Sequence, residues 1–108
     1  METSKLTNAA LDWAAAKCEG LTDENGWTAL QIFKSVRGSG AYRYSTNWAQ
    51  GGPIIEREGI SITQFGGAWK ASSLRQSAIL GPTPLIAAMR CYVASKLGDN
   101  VEIPQELN

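Results

Sequence analysis

The most regular pattern of apolar positions lies between Pro82 and Gly98, where Leu85, Ile86, Met89, Tyr92, Val93 and Leu97 recur at helical spacing. Thr83 suits the N-cap, Pro84 suits the first turn because its missing N–H costs nothing there, and Gly98 ends the run. The pattern predicts a helix over 84–97 with two unlike sides. One is bulky; the other carries the small residues Ala87, Ala88, Cys91, Ala94 and Ser95. A bulky side suits a sheet and a small side suits a second helix, so Ala87 and Cys91 are expected to face Ala14 and Cys18. Those two belong to a helix predicted over 8–19, with Thr7 as cap, Leu6 and Leu11 as a hydrophobic staple and Gly20 just past the end. Its apolar stripe is Leu11, Ala14, Ala15 and Cys18, while Asp12 and Glu19 mark the wet side.

Between these helices, residues 60–65 and 68–73 flank Gly66-Gly67, a pair that accepts the positive φ angles of a two-residue turn. Pairing Phe65 with Ala68 sets Gln64 opposite Trp69 and Ile62 opposite Ala71, so Ile60, Ile62, Trp69 and Ala71 share one face. Two strands alone are marginal, so a further strand or a homodimer is expected. Trp27 to Val36 reads either as a strand or as part of a helix, and the strand, over 29–36, is preferred. Asn47 to Gly59 is a tie on local grounds: Trp48, Gly51, Gly52 and Ile55 fall on one helical stripe, yet an interior proline such as Pro53 costs a helix about 3 kcal/mol.

The run Tyr44-Ser-Thr-Asn-Trp-Ala-Gln-Gly-Gly-Pro-Ile-Ile-Glu-Arg-Glu-Gly-Ile-Ser-Ile, with the later Gly81-Pro-Thr-Pro-Leu-Ile-Ala-Ala-Met-Arg, resembles the NinX-like family of small phage and prophage proteins of unknown function. It is more distantly similar to the phage ABA-sandwich domain, in which a Tyr-Ser-Thr-Asp stretch opens a helix that leads into a β-hairpin and an Ala-rich last helix. The resemblance covers about Leu6 to Gly98, and it breaks the tie by implying a helix over 47–58. Pro53 departs from the wider pattern, and Leu21 to Tyr42 resembles neither group, as an insertion would. The family has no established activity, so the resemblance implies a phage or prophage setting and no chemistry.

Together these readings give one α+β domain over 1–108, a small α/β/α-like sandwich with end segments at 1–5 and 99–108. Val101, Ile103 and Leu107 are expected to lie back on the domain. A chain of 108 residues can bury a real core, and 44% apolar with 19% charged residues is an ordinary globular balance that argues against disorder. Ten basic residues against ten acidic ones leave no long-range field for a polyanion or a lipid surface. The apolar stretch Leu85 to Leu97 contains Arg90 and Lys96 and is too short to span a bilayer. Without a leader pattern, the expected location is the cytoplasm of a bacterial host, where Cys18 and Cys91 would stay reduced.

The chain has no histidine, which removes the commonest general base, the Ser-His and Cys-His pairs and the imidazole metal ligands. Two cysteines cannot complete an ordinary zinc site alone. Glu56 and Glu58 point in different directions on a helix and read as a solvated charged face. Gly38-Ser-Gly40 and Gly51-Gly52 lack phosphate-loop spacing. The expectation is therefore no enzyme, no cofactor and no metal. What remains is a contact patch of Tyr42, Arg43, Tyr44, Asn47, Trp48 and Gln50, suited to a host or phage protein or to a second copy. The alternative is weak binding of single-stranded nucleic acid through Arg37, Tyr42, Arg43, Tyr44 and Lys70, since alternating aromatic and basic side chains can stack on bases and neutralise phosphates.

Overall fold

The computed structural model describes residues 1–107, so position 108 of the second end segment lies outside the described residues. In chain order the elements are α1 (Asn8–Cys18), α2 (Ala29–Arg37), α3 (Trp48–Glu58), β1 (Ser61–Phe65), β2 (Ala68–Ser73), β3 (Gln76–Gly81) and α4 (Pro84–Leu97). The fold is α+β, with the strands forming one antiparallel sheet in the order β1-β2-β3. The hairpin has the register read from the sequence, with Phe65 opposite Ala68, Gln64 opposite Trp69 and Ile62 opposite Ala71, and Gly66 takes a φ of 61° in the turn.

Three local readings are corrected. The stretch 29–36 is helical, not a strand. Thr28 accepts from the Gln31 amide while the Gln31 side chain accepts from the Thr28 amide, a reciprocal cap that starts α2. The third strand comes instead from 76–81, where Ser73 and Gln76 flank Leu74-Arg75. That turn has no glycine, asparagine or proline to announce it. Asp12 is not on the wet side of α1 but is wholly buried.

The faces of α4 are also reversed from expectation. Its small side lies on the sheet: a Cβ added at Gly81 would stand 2.6 Å from the Ala87 nitrogen and 3.1 Å from the Ala87 Cβ. Its bulky side meets the helices, with Leu85 against Gly51 of α3 and Tyr92 reaching Glu19 at the end of α1. The physical reason is the missing side chain at Gly81 beside the fully buried Ala71, which lets the helix backbone settle onto the pleat, leaving the long side chains to span the wider gap to α1 and α3. The helices thus gather on one side of the sheet, in the layer order sheet, α4, then α1 and α3. Phe65, Leu80 and Thr63 stay exposed on the other side.

Most of the core is one cluster around α4, built from Leu6, Leu11, Ile54, Leu85, Met89, Tyr92 and Val93 with several alanines. A second, smaller cluster joins Trp13 and Ala16 of α1 to Ala29 and Phe33 of α2. Buried Arg90 fastens the N-terminal segment and β3 to α4: its Nε donates to the Leu6 carbonyl and its Nη1 to the Leu80 carbonyl, both at 2.9 Å. The two end segments pair with each other, through Met1 and Val101 in both directions and through the Thr3 hydroxyl to the Gly98 carbonyl at 2.6 Å. Val101 is buried, and Ile103 and Leu107 are half-buried.

Candidate contact surface

The loop from Gly38 to Asn47 owes its shape to a buried acid. One Asp12 oxygen accepts from Arg37 Nη1 at 2.6 Å and the other from the Ser45 amide at 2.8 Å, so α1 holds both ends of the loop. Arg37 also donates to the Tyr42 carbonyl, and Arg43 Nη2 donates to the Arg37 carbonyl, each at 2.9 Å. Gln50 closes the loop from α3: its Oε1 accepts from the Arg43 amide at 2.6 Å and its Nε2 donates to the Gly40 carbonyl at 2.7 Å. Nothing in the sequence links Asp12 to Arg37 or Ser45. Only an isolated acid in an alanine-rich helix hints that it has work to do.

Within that frame Tyr42 takes the left-handed region, with φ 56°, and stacks on Phe33 at 5.5 Å between centroids and 22° between planes. Tyr44 tilts against Tyr42 at 6.4 Å, and burial pushes its hydroxyl pKa upward. Asn47 caps α3 by accepting from the Ala49 amide at 2.8 Å. Trp48, the first residue of α3, stands 54% exposed. Of the six residues singled out in the sequence, Tyr42, Arg43, Asn47 and Gln50 therefore shape the loop and cap. Tyr44 is half-buried, and Trp48 is the large apolar surface presented to solvent. A cavity of about 240 Å³ opens beside it, between the starts of α3 and α4.

The basic residues weighed for nucleic acid are dispersed. The Arg37 side chain is only 16% exposed and is paired with Asp12, and Lys70 lies over the Phe65 ring at 5.4 Å on the open side of the sheet. Glu58, rather than standing free, bonds Arg57 and Lys96, while Arg57 reaches Glu19 at 2.7 Å and the Tyr92 hydroxyl at 3.2 Å. The Arg57 bond is the chief reason that the carboxyls of both Glu19 and Glu58 titrate below their ordinary range. Burial pushes the Cys18 thiol up to about 11 and raises that of Cys91, so both are protonated, weak nucleophiles near neutrality. Among the described residues, no cluster of three or more cysteine, aspartate and glutamate side chains is placed to hold a metal ion. No helix among them is long and apolar enough to cross a membrane.

No curated protein matches the chain. A protein-family model described as Bacteriophage P22, NinX matches residues 2–96, running through the stretch 21–42 that had resembled nothing.

Proposed function

This chain belongs to the bacteriophage P22 NinX family, and from that membership we infer that it is a non-catalytic phage accessory protein that works by binding another protein or a second copy of itself. The observation that carries the reading is Trp48. A large amphipathic side chain, more than half exposed, is fixed at the first turn of a capped helix above a small cavity. An aromatic held in this way offers contact area at little entropic cost, which is how anchoring residues act at protein interfaces. Arg43, Asn47 and Gln50 support the same reading because their side chains are committed to internal hydrogen bonds, so the loop presents Trp48 on a rigid base. Protein binding in the host cytoplasm is the setting in which the protonated thiols and the missing imidazole are no handicap.

The test has two stages. Light scattering on the purified chain reads its oligomeric state, and affinity capture from phage-infected cells recovers a partner whose direct binding is then measured by calorimetry. Trp48→Ala is expected to weaken self-association or partner binding at least tenfold while leaving the melting temperature nearly unchanged. Unaltered binding by that variant would remove Trp48 from the interface, and a monomer that captures no partner would remove the reading itself.

A further inference from the structure

The cavity beside Trp48 is lined by residues whose polar hydrogens have no acceptor among the described residues. Every helix begins with amides that its own backbone cannot satisfy. In α3 Asn47 takes the Ala49 amide at 2.8 Å, and in α4 Thr83 takes the Ile86 amide at 3.1 Å, while Pro84 has none. The amides of Trp48 and Leu85 are left without an acceptor among the described residues, and both residues line the cavity. Neither helix places an acid in its first turn, so the positive ends of two dipoles meet there uncompensated.

An independent observation points to the same place. Ser45, only 2% exposed, lines the cavity, and its Oγ is buried with no hydrogen-bond partner. Buried hydroxyls nearly always find one, so an orphan asks for a ligand. The hydroxyl of Thr83 can still donate, because its oxygen serves Ile86 only as an acceptor.

From this geometry we propose that the cavity is a carboxylate-binding site. Amides from two helix starts, joined by a buried hydroxyl, are the donor set that recognises an oxyanion. No lysine or arginine lines the cavity, and Trp48, Pro84, Leu85 and Ile86 make the rest of its wall apolar. That combination favours a singly charged carboxylate on an apolar stem over a phosphate dianion. On the protein-binding reading given above, on which this last step rests, the carboxylate is an Asp or Glu side chain or a chain terminus of the partner, seated beside Trp48.

Amide-resolved NMR of the whole chain tests this, titrating acetate, a capped glutamate and inorganic phosphate at constant ionic strength. The expected result is saturable movement of the Trp48 and Leu85 amides at millimolar carboxylate, with phosphate weaker. Ser45→Ala should weaken acetate binding about tenfold, the weight of a hydrogen bond to a charged group. Its melting temperature should hold or rise, because a buried hydroxyl without a partner is removed. Saturation by phosphate alone would overturn the carboxylate assignment, and silence of both amides toward every anion would overturn the site. A Ser45→Ala variant that melts well below the parent would also count against it, by showing that the hydroxyl is already paired. If the chain neither self-associates nor recovers a partner while acetate still moves the Leu85 amide, the protein-binding reading fails and the carboxylate site stands.

Discussion

The part of the molecule spanning 60–98 and the part spanning 21–47 are held by different forces. In the first, a hairpin extended by β3 lies under α4 with small residues at the contact, and a Cβ at Gly81 would strike the Ala87 backbone. In the second, one short helix and a long loop are fixed to α1 by a buried acid, a guanidinium and an aromatic stack. The first depends on volume, the second on charge and hydrogen bonding. An alanine-rich helix such as α1 can serve both: Ala10, Ala14 and Ala15 join the main core, Trp13 and Ala16 join the second cluster, and Asp12 ties the loop to the helix.

Asp12→Ala is expected to have the largest effect. It strands the mostly buried Arg37 and frees the Ser45 amide, and losing one partner of a buried pair costs about 3–5 kcal/mol. Urea denaturation reads the loss; a cost under about 1 kcal/mol would mean that packing governs both parts. Next in size is Gly81→Ala, expected to destabilise by about 1–3 kcal/mol through overpacking against backbone that cannot yield. A wild-type melting temperature for that variant would refute the volume argument. Thr28→Ala should cost about 1 kcal/mol by removing the reciprocal cap of α2, with helical circular dichroism and thermal melting as the measurements.

The smallest expected effect depends on pH. Glu19 and Glu58 are held below their ordinary value of 4.5, chiefly by Arg57. Their stabilisation is therefore present above that value and is lost as pH falls through the depressed folded-state values. Arg57→Ala should flatten this acid limb in melts between pH 6 and 3, whereas the deficit of Gly81→Ala should not vary with pH across it, since its contact contains no titrating group. Both curves moving in parallel with the parent would argue that the ion network adds nothing.

The same contrast explains what could be read in advance. The helix over 84–97 and the hairpin register were legible because caps, a turn pair and two clean periodicities agree at Thr83, Gly98 and Gly66-Gly67. The membership of α4's faces was not, because the sequence shows which side is small without showing that Gly81 opens a place for it. Helix α2 did leave a mark, the Thr28-Ala-Leu-Gln31 capping pattern, outweighed by an apolar spacing that fits strand and helix alike. Strand β3 left none, since Leu74-Arg75 turns the chain with ordinary negative φ angles and an irregular register between Ala71 and Ser73. Of the contact patch, Trp48 was readable as an exposed aromatic, while Asp12, Ser45 and Leu85 were not. Their roles come from neighbours distant in sequence.

Asp12 has one more consequence, for the order in which the molecule comes apart. Because α2 is joined to the rest through a few side chains rather than through a shared backbone ladder, it and the following loop form a unit that can detach while the sheet and α4 stay closed. Amide hydrogens of 29–45 should then exchange with deuterated solvent well before those of 85–94, and carrying the negative charge into the interior makes reclosure depend on Arg37 returning to meet it.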